Sequence, residues 1–116
     1  MNLEIKELAL KAVTFGQEIR AERPILMDLR NLTAMTDYFV IMSAANKRQV
    51  EAIADNIKLS FKDKFDILPE AEERDEKSHW ILLDYGDFVV HVFLDETREF
   101  YDLERLWGDA DITEVV

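Results

Sequence analysis

A chain of 116 residues with no cysteine, 48% hydrophobic residues and a formal net charge of −11 is long enough for one folded domain, expected to span residues 1–116. Its composition excludes disulfide frameworks, thiol chemistry and cysteine-ligated zinc. The negative sign repels phosphate backbones, which argues against direct nucleic-acid binding as the main activity and favours a basic protein partner, although an acidic surface also serves solubility alone. No apolar run approaches the roughly 20 residues that cross a bilayer, or the length of a signal peptide, so the expected setting is the cytoplasm, without membrane contact.

Taken in chain order, the first 20 residues read as a helix, because Ile5, Leu8, Ala12, Phe15 and Ile19 form one apolar stripe. Pro24 is expected to end that region. A short strand from Ile25 to Arg30, a connection from Asn31 to Thr36 and a second strand from Asp37 to Met42 follow. The second strand lacks alternation, which predicts burial on both faces. Asn46, with Gln49 three residues later, has the form of a capping box. It opens a helix that buries Val50, Ile53, Ala54, Ile57, Phe61 and Phe65 and wets Glu51, Asp55, Lys58 and Lys62.

Asp66 to Ala71 is a candidate third strand, and Glu70 to Lys77 reads as a charged, solvated loop. Trp80 to Leu83 and Phe88 to Leu94 are strong strand patterns joined at Gly86-Asp87, a hairpin. A short helix is expected from Tyr101 to Trp107, stopped by Gly108, with a loose acidic tail. The succession predicts an α+β fold with a mixed sheet of about five strands flanked by helices. A strand–helix–strand segment supplies a parallel crossover and the hairpin supplies antiparallel pairing.

Chemistry is sparse. Asp84, Asp87, His91 and Asp95 make the densest polar set, of a type that suits a divalent metal or acid–base work. Yet His91 shares a strand face with Val89 and Phe93, where a lone histidine is more often hydrogen-bonded or at an interface than a ligand. Neither GxxxxGK[ST] nor GxGxxG occurs, and Ser43, Ser60 and Ser78 have no nucleophile-elbow context. Ser43 to Asn46 could hold an anion at a helix start, but capping explains it better. The surplus is aromatic: Trp80, Tyr85, Phe88, Phe93, Phe100, Tyr101 and Trp107 crowd the last third. Rings with polar handles dominate interface hot spots. Core filling is the preferred reading for Phe88, Leu103 and Leu106, whereas for Trp80, Tyr85, Phe93 and Trp107 core and surface weigh equally.

Four segments carry a resemblance. They are Asp28-Leu29-Arg30 with Thr36-Asp37-Tyr38-Phe39-Val40-Ile41; Asn46 to Asp55; Trp80 to Phe93; and Arg98 to Trp107. In this order they resemble the Iojap-like ribosomal silencing factors, over about Leu3 to Ala110. One departure is visible: the family usually carries a glycine in the loop before the tryptophan that begins the hairpin, and Glu70 to His79 has none. The resemblance implies a sheet related to nucleotidyltransferase folds without their catalytic carboxylates, no cofactor and no enzymatic activity. It implies binding to the large ribosomal subunit through its protein number fourteen, a steric block of subunit joining that represses translation under nutrient limitation, and a homodimer when free. The hairpin and the last short helix are then the expected contact surface. Trp80, Tyr85 and Phe93 would be its anchors, Asp84, Asp87 and Arg98 its charges and His91 a hydrogen-bonding group, joined by Tyr101 and Trp107. The alternatives are a Mg²⁺-dependent, nucleotidyltransferase-like enzyme and a dimeric adaptor for another basic protein.

Overall fold

The computed structural model describes residues 4–116. Helix α1 (Ile5–Gln17) buries Ala9, Ala12, Val13 and Phe15. It lies close against strand β2 (Tyr38–Ala44) because Gly16 has no side chain: a Cβ there would collide with the Met42 sulfur. The helix ends at Gln17, before Pro24. Arg20 turns the chain in a left-handed conformation (φ 60°) while the Ala21 N–H donates to the Gly16 carbonyl at 3.0 Å. Arg20 is exposed, and left-handed backbone is costly for a residue with a Cβ. Arg20→Gly is therefore expected to raise stability by about 0.5–1 kcal/mol, net of glycine's greater unfolded-state entropy. Urea unfolding measures it, and an unchanged or lower midpoint would contradict it.

Strand β1 (Glu22–Asp28) begins earlier than its apolar run suggests and contains Pro24. The strand tolerates the proline because its register against β2 shifts between Glu22 and Ile25, a bulge at which a missing N–H leaves no gap in the ladder. Strand β2 is flanked on both sides and buried almost throughout, which explains its unalternating sequence. Helix α2 (Lys47–Phe65) is capped by Asn46, whose side chain accepts the Gln49 N–H at 2.9 Å. The Gln49 side chain does not close the box; it donates instead to the Ile19 carbonyl and ties α2 to the end of α1. Within the expected apolar stripe, Phe61 contacts Phe15, Phe65, Tyr85 and Phe88.

The sheet has six strands, not five, in the order β3-β4-β5-β2-β1-β6. Strand β3 is Ala71–Arg74, inside the segment expected to be a solvated loop, while most of Asp66 to Ala71 is connection. The pairing explains the difference. Glu72 and Arg74 face α2, where Glu72 meets Lys58 at 2.6 Å and Arg74 reaches Asp55 at 3.5 Å. The charges therefore brace an edge strand that has no apolar pattern. Strands β4 (Trp80–Asp84) and β5 (Phe88–Leu94) form the hairpin, with Gly86 at φ 85°. Before it, Ser78 takes the left-handed conformation (φ 55°) and the Asp75 carboxylate accepts the His79 and Trp80 N–H groups at 2.5 and 3.1 Å, so the loop turns without a glycine. Strand β5 pairs parallel with β2, and the other neighbours are antiparallel.

The carboxy-terminal part differs most from expectation. The single helix over Tyr101 to Trp107 is two: α3 (Asp95–Tyr101) and one turn, α4 (Leu103–Leu106), divided by left-handed Asp102 (φ 47°). The acidic tail is not loose. Asp111–Glu114 is β6, antiparallel to β1. Helices α1 and α2 cover one sheet face through Val40, Met42, Ile81, Leu83, Val90 and Val92. On the other face Leu103 is buried among Ile25, Met27, Ile41 and Phe93, with Trp107 packed against them, and the short helices leave part of the sheet uncovered.

Candidate functional site

The uncovered part is a groove of about 300 Å³ whose floor is the outward-facing row of β4 and β5. Residues two apart on a strand share a face, so Leu82 and Asp84 come from β4 and Val89 and His91 from β5. The groove is walled by Ala71 and Glu73 of edge strand β3, by the loop carrying Thr33, Met35 and Thr36, and by Trp107.

His91 is 3% exposed. Its Nδ1 accepts the Trp80 indole N–H at 3.1 Å, which places the imidazole proton on Nε2. Burial pushes its pKa down to about 3, so the ring is neutral at physiological pH. Phe39 meets it edge-on at 4.5 Å, and Trp107 meets Phe39 at 5.9 Å. Trp80 stacks on Phe93 at 4.8 Å, and the Tyr101 ring lies tilted 4.8 Å from it. Neither the His91 Nε2–H nor the Thr36 hydroxyl has a hydrogen-bond partner among the described residues. Each unsatisfied buried group costs about 1–3 kcal/mol.

The residues singled out from the sequence are divided by this geometry. Trp80, His91 and Trp107 build or border the groove; Asp84 lies at its rim and accepts the Gly86 N–H at 2.8 Å. Tyr101 is half exposed beside Trp80, and Asp87 is exposed at the hairpin turn. Three others lie inside. Phe93 is 1% exposed under the short helices. Tyr85 is on the opposite sheet face, stacked on Phe88 at 5.0 Å, where burial raises its pKa. Arg98, expected to offer charge to a partner, is 3% exposed and spends it internally. It donates to Ser43 Oγ at 3.0 Å and lies 3.6 Å from Glu104. Leu106, expected in the core, is 72% exposed, because the break at Asp102 turns it outward from the face that buries Leu103.

Residues that the sequence did not single out are Met35, Thr36, Glu73 and Leu82. The one cue was Met35, a large apolar residue in a connecting loop, and it is 89% exposed. The described residues contain no group of three or more His, Cys, Asp and Glu side chains that could hold a metal ion, and no helix long and apolar enough to cross a membrane. What the arrangement offers is a recognition surface: an apolar trough with aromatic walls and acidic rims.

Comparison with known proteins agrees with this architecture. A ribosomal silencing factor, RsfS, from Halalkalibacterium halodurans is 35% identical over 114 residues, covering 98% of this chain and 94% of that protein. A crystal structure of a Chromobacterium violaceum protein superposes with a TM-score of 0.86 at 31% identity, covering 98% and 94% of the two chains. A mouse protein named for mitochondrial assembly of the ribosomal large subunit is 37% identical over 75 residues, 62% of this chain and 32% of its own length. The family described as ribosomal silencing factor during starvation, RsfS, matches residues 2–116, and the chain belongs to that family.

Proposed function

We propose that this chain binds the large ribosomal subunit through the subunit's protein number fourteen and, by occupying that face, prevents the small subunit from joining. It acts in the cytoplasm as a steric repressor of translation under nutrient limitation, without a catalytic step, and is a homodimer when free. The observation that carries the reading is the groove above His91 with its surroundings. An open apolar and aromatic surface rimmed by Glu73 and Asp84, on a chain of net charge −11, complements a basic ribosomal protein. The mouse relative's name, which ties it to the large subunit, points the same way. Tyr101 and Asp87 extend the surface beyond the groove. A stable contact of this kind buries roughly 1,200–2,000 Å² in total.

The test is sedimentation. The purified chain should travel with large subunits, and joined ribosomes should diminish as it is titrated into a mixture of both subunits. Asp87→Lys combined with Tyr101→Ala, both at exposed positions, should weaken that binding at least tenfold, about 1.4 kcal/mol, with the melting temperature little changed. Joined ribosomes that persist at saturating wild-type chain would refute the reading.

A further inference from the structure

Strand β6 ends the sheet at the edge away from the groove, beyond β2 and β1. The Val115 N–H donates to the Pro24 carbonyl at 3.0 Å, and from there the register pairs Ile25 with Glu114, Leu26 with Thr113, Met27 with Ile112 and Asp28 with Asp111. Hydrogen-bonded pairs alternate along an antiparallel ladder. Thr113 and Asp111 therefore bond to β1, while the N–H and C=O groups of Ile112 and Glu114 point outward from the sheet. Solitary edges are commonly blunted by lysine, proline or a bulge, and β6 has none of these. The side chains of Ile112 and Glu114 share a sheet face with Ile25 and Met27. There they border a recess of about 540 Å³ lined also by Pro24 and Ile25 of β1 and by Arg98 and Glu104 of the short helices. Ile112 is 42% exposed. The two arginines of the recess are engaged, Arg23 with Glu99 at 2.7 Å and Arg98 with Ser43, whereas Glu114 has no ion pair among the described residues.

We infer that β6 is a second docking edge, to which an extended basic segment of another protein adds as a further strand. The segment's main chain pairs with Ile112 and Glu114. One of its lysines or arginines enters the recess, lays its methylene stem on Ile112 and carries its charge to Glu114, with Glu104 nearby. In strand addition the main-chain bonds supply affinity and alternate side chains supply specificity. The charge on the edge selects the occupant. Asp109, Asp111 and Glu114 lie along it and in the turn before it, all exposed. Two copies of β6 set side by side would oppose these carboxylates to one another, whereas a basic strand complements them. The opposite edge is not equivalent, because Glu72 and Arg74 of β3 are spent on Lys58 and Asp55 of α2 and Glu73 walls the groove. Strands spaced about 4.8 Å apart put β6 roughly 14 Å from β5, so both sites can be filled at once.

The test uses the whole ¹⁵N-labelled chain and two capped hexapeptides at millimolar concentration, one alternating lysine with valine and one alternating lysine with proline. Both carry the same charge, but proline lacks the N–H that a ladder requires. The lysine-valine peptide should slow amide hydrogen exchange at Ile112 and Glu114 at least tenfold, and the lysine-proline peptide should leave both unchanged. Ile112→Pro removes only an outward N–H, which an edge strand tolerates, and should abolish the response at Glu114. Glu114→Lys, which keeps every main-chain group, should weaken binding of the lysine-valine peptide at least tenfold. Unaltered exchange with that peptide, or equal slowing by the lysine-proline peptide, overturns the docking edge. If Ile112→Pro frees Thr113 to exchange, and so detaches β6, Glu114→Lys decides: an affinity equal to wild type overturns the inference. Slowing that appears without peptide and grows with chain concentration would assign the edge to a second copy and overturn the basic segment.

Discussion

Arg98→Ala is expected to lower the free energy of unfolding by about 3 kcal/mol, a large share of what holds a domain of this size together. The guanidinium is the hub between four elements. From α3 it donates to Ser43 on β2 and, more weakly, to the Glu22 carbonyl on β1 at 3.4 Å, and it faces Glu104 on α4. Burial lowers its pKa and Glu104 raises it, but an arginine stays charged in either case. Truncation strands the Ser43 hydroxyl, leaves Glu104 without its cation and opens a void beneath the short helices. Arg98→Met should cost less than alanine, because it refills part of the volume. Arg98→Lys should not restore wild-type stability, because a point charge cannot serve the hydroxyl and the carboxylate together. Urea unfolding of the three variants tests the order. An alanine variant within about 1 kcal/mol of wild type would mean that α3 is held by something else.

The second large effect is pH dependence. An unfolded histidine takes up its proton near pH 6.5, whereas His91 in the native chain resists protonation until about pH 3. Between those values the unfolded state binds a proton that the native state refuses. Stability is therefore complete above pH 6.5 and falls as the medium becomes more acidic, by about 1.4 kcal/mol for each pH unit well below 6.5. From pH 8 to pH 5 the loss should be about 2 kcal/mol. Two of the paired carboxylates act lower. Asp28, hydrogen-bonded by Arg30, and Asp66, hydrogen-bonded by Lys62, both have depressed pKa values, so their contributions are intact above about pH 4 and are lost as the pH falls from there through the lower native values. His91→Phe keeps an aromatic ring beside Phe39 and Phe93 but removes the titration. Its baseline should be lower, since the Trp80 N–H loses its acceptor, and its stability should be nearly flat between pH 8 and pH 5. Parallel curves for variant and wild type would exclude His91 as the source.

The elements legible in the sequence were those whose environment is written in their side chains. Helices α1 and α2 have apolar stripes at helical spacing, and β2, β4 and β5 are runs of branched and aromatic residues. Asn46 and Gly86 were readable because a cap and a tight turn each demand a particular local chemistry. Strands β3 and β6 were not readable. Their residues, Ala71 to Arg74 and Asp111 to Glu114, are exposed, and their reason for being strands is the unpaired edge of a neighbour. Helix α3 is charged along most of its length and is pinned by one buried arginine, so no periodicity announced it.

The same division runs through the candidate site. Residue types alone established an acidic chain without cysteine, four ordered segments resembling one family, and a carboxy-terminal third rich in rings. Which rings face outward depended on layering, because alternate residues of one hairpin belong to opposite sheet faces and only the path of α3 and α4 determines how much of the second face stays open. That path covers Phe93 and buries Arg98, while Tyr85 lies on the opposite face under α2; the loop before β2 and edge strand β3 bring Met35, Thr36 and Glu73, distant in sequence, to the groove beside His91. A side chain's chemistry is local and can be read from the chain. Its exposure depends on what the rest of the chain packs against it, which only the assembled structure decides.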